Sequence, residues 1–420
     1  MSFKESSINM VSHEIALENA EEIFHTNQLT LFNSICPCIC RGLLTVILEG
    51  DDVNIIKDIA YRVGNEGRYY YLALLSGAQF CLEQGEKMMG AAYLENAMES
   101  ARKHDHKTKI FCWLPSIMAA LCKKALEAGV EIEYVQNFIR SYNLFPEKPY
   151  VEIGEWPWPV KIHTLGKFEI VLNGTPAQFS GKEQRKPLQM LKLLVALGGR
   201  QVNEEQITDL LWPDADGDQA HSAFSTTLSR LRRLIGCDKA IEIHGGKASL
   251  DPRYCWVDVW AFEDIFGQVI QMLEGMGETG RRESRESENI IQLAERAIRM
   301  YGGKFLPDEE NQSWVLPLRE RLKKRFFRLI TRFGKHLESI DELEKAAEYY
   351  QLTMELDEIA DEELYQRLMI CHHRLNQPVR AYEVYRRCSN TLAASLGLKP
   401  SPMTENIYKN LLIGMETANG

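Results

Sequence analysis

No stretch of the 420 residues is long and apolar enough to read as a membrane span. The run from Leu43 to Leu48, for example, ends at Glu49, far short of the roughly 20 residues a span needs. Nor does the N-terminus read as a secretory signal, because Lys4, Glu5, Glu14 and Glu18 stand where an apolar stretch would be required. A cytoplasmic protein is expected. Its ten cysteines follow no regular pairing pattern and are expected as thiols. No Gly-x-x-x-x-Gly-Lys-Ser/Thr phosphate loop and no dinucleotide fingerprint occurs. There is likewise no nucleophile beside a base and no interpretable pair of acid-base carboxylates. The chain reads as neither an enzyme nor a cofactor carrier.

What is present is the composition of a soluble folded protein, 45% hydrophobic and 26% charged, with a length that suits two to four domains. Net charge is −10, which argues against a chain coated in nucleic acid but leaves room for one basic module in an acidic body.

From Ser12 to about Tyr142 apolar residues recur at helical spacing, as in Leu72, Leu75, Ala78 and Phe80, and Gly50, Gly67, Gly85 and Gly129 fall where helices should stop. Small residues such as Ala91, Ala97, Ala119 and Ala120 allow close helical hairpins, the texture of a solenoid without a strict period. Pro146, Pro149, Pro157 and Pro159, with Trp156 and Trp158 between, break this pattern and read as a linker that docks its tryptophans. A strand pattern follows over Val160 to Leu172, closed by Asn173-Gly174, a strong hairpin signal. Helices are expected near Arg185–Leu197, Glu204–Leu211 and Asp218–Ile235. Two short strands, Ala240–His244 and Lys247–Leu250, then flank Gly245-Gly246. Beyond Trp256 the chain reads as helical to its end, interrupted by a polar loop from Glu274 to Glu288. Ala347 and Ala381, 34 residues apart in similar helical contexts, match the tetratricopeptide (TPR) period.

Hairpin, three helices and a two-stranded ribbon are the order of a winged helix-turn-helix of the OmpR type. In the third helix Ala220, Phe224, Leu228, Leu231 and Ile235 are spaced by four, four, three and four residues and form one buried stripe. The opposite face carries Ser222, Thr226, Ser229 and Arg233, with Gln219, Arg230 and Arg232 beside them. Small hydroxyls let a helix sit deep in a major groove, and arginines reach phosphates or the guanine edge. A merely solvated face usually mixes Glu with Lys, whereas residues 219 to 235 hold three arginines and no acid. Lys182, Arg185 and Lys186 cluster at the start of the first helix, and Lys247 follows the turn of the ribbon, where phosphate or minor-groove contact is usual. Asn203 is expected to cap the second helix, whose free amides could face a phosphate, although Glu204 and Glu205 oppose that. Residues 160 to 266 hold 13 Lys+Arg and 14 Asp+Glu, so binding must come from a concentrated patch and depend on salt.

These residues resemble the SARP-type activators. The resemblance is carried by Trp156-Pro-Trp-Pro-Val-Lys-Ile-His-Thr-Leu-Gly-Lys-Phe, Gly181-Lys-Glu-Gln-Arg-Lys-Pro-Leu, Leu211-Trp-Pro-Asp-Ala-Asp-Gly-Asp and Ser229-Arg-Leu-Arg-Arg-Leu. In the second half it is carried by Val257-Asp-Val-Trp-Ala-Phe-Glu, Tyr301-Gly-Gly-Lys-Phe-Leu-Pro and Leu396-Gly-Leu-Lys-Pro-Ser-Pro. The N-terminal helices resemble, less specifically, the solenoid of MalT-like regulators, whose usual ATPase module has no phosphate loop here. The resemblance implies a mainly α protein with a small α+β module. Its parts would be a TPR- or MalT-like region over 1–145, a Trp/Pro linker over 146–159, an OmpR-like winged helix over 160–256 and a TPR-like bacterial transcriptional activator domain over 257–420. It implies double-stranded promoter DNA as partner, with the helical domains holding a homodimer, touching RNA polymerase, or binding an effector or protein. The rival expectation is a helical sensor or scaffold whose winged helix contacts protein only.

Other motifs carry less. Cys36-Pro-Cys-Ile-Cys40 lacks the spacing of zinc ligands; packing is expected, with a redox-sensing thiol as the remaining reading. His104, His106, His372 and His373 are expected as solvated or core histidines. Asp214, Asp216 and Asp218 miss the calcium-loop pattern, and Asp218 is expected to face the N-terminal dipole of the third helix.

Overall fold

A computed structural model describes residues 86–103, 115–145, 154–275, 284–356 and 361–418, with scattered helical positions between 71 and 82. Cys36, Cys38 and Cys40, and His104 and His106, lie outside the described residues. The chain divides into two compact units, one ending at Pro157 and one spanning Trp158–Gly420.

The first unit is helical where described. Helices α1 (Lys87–Lys103), α2 (Pro115–Glu127) and α3 (Ile132–Tyr142) pack on one another through Leu94, Ala97, Met98, Ala119, Cys122, Ala125, Val135 and Ile139, all buried. The alanines remove bulk at the contacts, so helix axes can approach closely. Past α3 the linker folds back, and Gln136 Nε2 donates to the Glu155 carbonyl at 2.7 Å. Trp156 and Trp158 are both buried, as two tryptophans between prolines should be.

The second unit opens with β1 (Val160–His163), β2 (Glu169–Leu172) and β3 (Thr175–Pro176). The expected single strand from Val160 to Leu172 is thus two strands. The cause is Asp258: its carboxylate accepts from the backbone amides of Thr164 and Leu165 at 2.5 and 2.8 Å and from the Thr164 hydroxyl at 2.7 Å, which diverts those amides from any ladder. Asn173 and Gly174, with φ of 49° and 87°, turn the chain from β2 into β3 as the Asn-Gly pair predicts.

Helices α4 (Lys182–Ala196), α5 (Glu204–Leu211) and α6 (Gly217–Ile235) follow, with β4 (Val202–Asn203) between the first two. A short 3-10 turn at Asp238–Ala240 leads to β5 (Ile241–His244) and β6 (Lys247–Leu250), and then comes β7 (Cys255–Val257). The ribbon is three-stranded in the order β4-β6-β5, not two-stranded, because Val202 and Asn203 pair with Ala248 and Lys247. The other sheet runs β3-β2-β1-β7, with β7 parallel to β1. Inside, Phe224, Leu228, Leu231 and Ile235 of α6 are buried together with Met190, Leu191 and Leu194 of α4 and Ile207 of α5. This is the winged helix-turn-helix arrangement.

The remaining helices are α7 (Asp258–Gly275), α8 (Ser284–Tyr301), α9 (Leu316–Ser339), α10 (Leu343–Leu356), α11 (Glu362–Arg374), α12 (Pro378–Leu396) and α13 (Pro402–Ala418). Consecutive helices pack as antiparallel hairpins, a TPR-like array. The expected polar loop is shorter than Glu274–Glu288, because α8 begins at Ser284; residues 276–283 lie outside the described residues. Ala347 and Ala381 are buried at matching places in α10 and α12. At Gly334 an added Cβ would lie 2.3 Å from the Tyr350 ring, so glycine sets how closely α10 approaches α9. In the Leu396–Pro402 motif Gly397 closes α12 with φ of 65°. There Glu362 accepts from the Ser401 amide at 2.7 Å and from the Thr404 hydroxyl, which fixes the start of α13.

Winged helix and TPR-like array share one unit because three of the sequence motifs meet. Leu165 bridges Phe305, the Gly166 amide donates to the Lys304 carbonyl at 3.0 Å, and the Leu306 amide donates to Thr164 at 2.8 Å. Trp260 Nε1 donates to the Gly198 carbonyl at 3.1 Å. Lys192 and Glu309, each largely shielded from water, form an ion pair at 2.6 Å. No helix among the described residues is long and apolar enough to cross a membrane.

Candidate nucleic-acid interface

The candidate interface is built on α6. The acidic turn caps it: the Asp216 Oδ1 accepts from the Gln219 amide at 3.1 Å, and Asp218 stands in the first turn beside the helix dipole, as expected. The apolar stripe turns inward, so the opposite positions must face water. Ser222, Thr226, Ser229, Arg230 and Arg233 are all exposed. Arg232 departs from expectation. It is half-buried, and its Nε and Nη2 donate to the Ile241 carbonyl at 3.2 and 2.7 Å. Its guanidinium ties α6 to the first strand of the ribbon.

The three cations on α4, Lys182, Arg185 and Lys186, are all exposed, and Lys186 is tied to the end of α5. The Lys186 Nζ donates to the Leu211 carbonyl at 2.8 Å and sits 5.6 Å from the Trp212 ring. It thereby borders a shallow groove of about 600 Å³ along α6, whose lining includes Trp212, Asp218, Ser222, Thr226 and Arg230. Trp212 was not singled out as a site residue, although the Leu211-Trp-Pro run placed it at the end of α5. Lys247 is exposed on β6 opposite His244, just after the Gly245-Gly246 turn.

The second helix is less open than its sequence suggests. Asn203 stands at the N-cap without a side-chain bond, and the Glu204 amide donates to the Gly246 carbonyl at 2.9 Å. The turn of the ribbon therefore occupies one of the amides expected to face a phosphate. The Glu204 carboxylate meets Nδ1 of His221 and does not project alone from the surface. The described residues contain no group of His, Cys, Asp and Glu arranged to hold a metal ion. His372 is a core histidine: burial lowers its pKa, and its Nδ1 lies 3.0 Å from Gln377 Oε1.

The comparisons find similar sequences among regulatory proteins. Residues 270–412 match the bacterial transcriptional activator domain. The regulatory protein AfsR of Streptomyces griseus is 24% identical over 242 residues, 57% of this chain but only 23% of AfsR. The regulatory protein DnrI of Streptomyces peucetius is 23% identical over 269 residues, 60% of this chain and 92% of DnrI. A solved structure of Mycobacterium tuberculosis EmbR, in complex with a low-affinity phosphopeptide, superposes with a TM-score of 0.48 at 20% identity, covering 61% of this chain and 65% of that one. Residues 270–412 thus match a bacterial transcriptional activator domain, and the chain is similar to regulatory proteins that carry one.

Proposed function

We propose that the protein is a sequence-specific DNA-binding transcriptional activator that reads the major groove of double-stranded promoter DNA with α6. The observation that carries this reading is the outer face of α6. From 219 to 235 it holds no acid, it exposes Ser222, Thr226, Ser229, Arg230 and Arg233, and Lys186 flanks it. Hydroxyls give a helix close approach to base edges, and arginine supplies the fork that fits guanine O6 and N7. Lys182, Arg185 and Lys247 are then phosphate contacts, which fix register without reading sequence. Arg232 belongs to the scaffold and not to the reading face. By resemblance, the activator array contacts RNA polymerase or a second copy of the chain.

The test is selection of genomic fragments by the full chain, followed by binding to the enriched duplex across a range of salt. Enrichment of a shared motif is expected. The three phosphate contacts would give a slope of log K against log salt of about −3. No enriched motif, together with salt-independent association, would favour the rival in which the winged helix contacts only protein, a rival that its near-equal charge of 13 bases and 14 acids over 160–266 makes worth testing.

A further inference from the structure

The longest helix of the activator array, α9, carries a charge pattern that DNA reading by α6 does not use. Arg321, Lys324, Arg325, Arg328, Arg332 and Lys335 follow one another at spacings of three, one, three, four and three residues. They fall within about 100° of the helix circumference at about 100° per residue. Every position on that face between 321 and 335 is basic, in a chain whose net charge is −10. The opposite face, Leu322, Phe326, Leu329, Ile330, Phe333 and Leu337, is buried.

The stripe faces the inner side of the array. Helix α7 touches α9, α9 touches α11 and α11 touches α13, whereas α8 and α10, and α10 and α12, make less contact. Second-neighbour helices crowd together on the inside of a curved solenoid, where binding surfaces form. The ion pairs agree with this placement. Arg321 and Arg325 share Glu263 of α7, at 3.1 and 2.5 Å; Arg328 pairs with Glu274 of α7 at 2.7 Å; Lys335 pairs with Glu363 of α11 at 2.5 Å. Three carboxylates therefore face six cations. Lys324 and Arg332 are exposed, and neither has an ion-pair partner among the described residues.

We propose that the inner face of the activator array is a docking site for an acidic, extended segment of a partner protein, laid along α9. The stripe is about 21 Å long, at about 1.5 Å per residue, which matches about six residues of extended chain at about 3.3 Å each. A concave groove admits a single extended strand, and its surplus positive charge selects an acidic one over a neutral or basic one. The proposal is independent of DNA reading by α6.

The test uses the full chain with fluorescein-labelled hexaglutamate, hexalysine and a random-sequence DNA duplex of about 20 base pairs. Hexaglutamate should bind, hexalysine should not, and binding should weaken as NaCl rises from about 50 to about 300 mM. The variant K324E/R332E breaks no ion pair within the chain and should melt at the parent temperature; K324A/R332A serves if it does not. Either variant should weaken hexaglutamate binding, by about tenfold for the charge reversal, and leave the duplex unaffected. Absent hexaglutamate binding, or binding indifferent to both variants, overturns the proposal. Loss of duplex binding in the variants would instead assign the stripe to nucleic acid and overturn it equally.

Discussion

Three arginines of α6 divide between its exposed face and a brace to the ribbon. Arg230 and Arg233 end in solvent, while Arg232 ends on the Ile241 carbonyl. Arg230→Ala and Arg233→Ala should each weaken binding to the selected duplex by about 1–3 kcal/mol if the arginine reads a base, or reduce the salt slope by about one if it touches phosphate, with melting unchanged. Parent-like binding by both would mean that another face of α6 meets DNA. Arg232→Ala should do the reverse. It strips a charged donor from a half-buried carbonyl, so calorimetry should register a loss of about 1–3 kcal/mol in stability. A parent-like melting temperature with relaxed sequence preference would return Arg232 to the reading face. Phe224 lies at the centre of the buried stripe, 2% exposed, and Phe224→Ala should cost about 3–5 kcal/mol. An unchanged melting curve would remove it from the core.

Between elements, the junction of sheet and array depends on how closely two backbones approach. At Gly166 the φ is +77°, and an added Cβ would lie 2.7 Å from the Gly302 carbonyl oxygen. Gly236, which closes α6 with φ of +64°, has open space around its missing Cβ. Gly236→Ala should therefore cost only left-handed strain, about 1–2 kcal/mol, whereas Gly166→Ala adds a backbone clash and should lower the melting temperature distinctly further. Equal shifts would show that the junction can yield. Legibility in the sequence follows the same line between local and distant causes. The bounds of α5 and α6 were readable because an apolar stripe, Asn203, the 214–218 turn and Gly236 are local signals. Helix α4 begins at Lys182, three residues before Arg185, and it holds Pro187, which forfeits one helical hydrogen bond. The parallel pairing of β1 with β7 was not readable, since Val160 and Cys255 are 95 residues apart and no turn joins them. Likewise the exposed face of α6 was legible from its period, but Arg232 was not separable from Arg230 and Arg233. Its inward turn depends on where the Ile241 carbonyl falls.

For the molecule as a whole, the chain from Trp158 onward forms one compact unit. The buried Asp258 carboxylate fastens the strand-leaving amides of Thr164 and Leu165 to the first turn of α7. Burial pushes its pKa up even as those donors favour its ionised form. The short bridge from Leu165 to Phe305 and the Lys192–Glu309 pair add a second and a third tie. The winged helix and the array are therefore expected to move together. Limited trypsin digestion checks this. The sequence from Gly275 to Glu283 offers Gly277 and Gly280 and two adjacent sites, Arg281 and Arg282, between α7 and α8, and glycine-rich polar connections are preferred points of nicking. The first cut should fall there. The two fragments should still co-elute on gel filtration, because α7 remains packed against α8 and α9 and tied to the winged helix. Arg253, the basic residue nearest the junction, should resist: its guanidinium is bound to Asp251 at 2.6 Å and to Glu242 at 3.2 Å, and the chain on its C-terminal side enters β7. An early cut after Arg253 that releases a free winged helix would show that head and array are separate beads, and that whatever docks on the array acts by proximity alone.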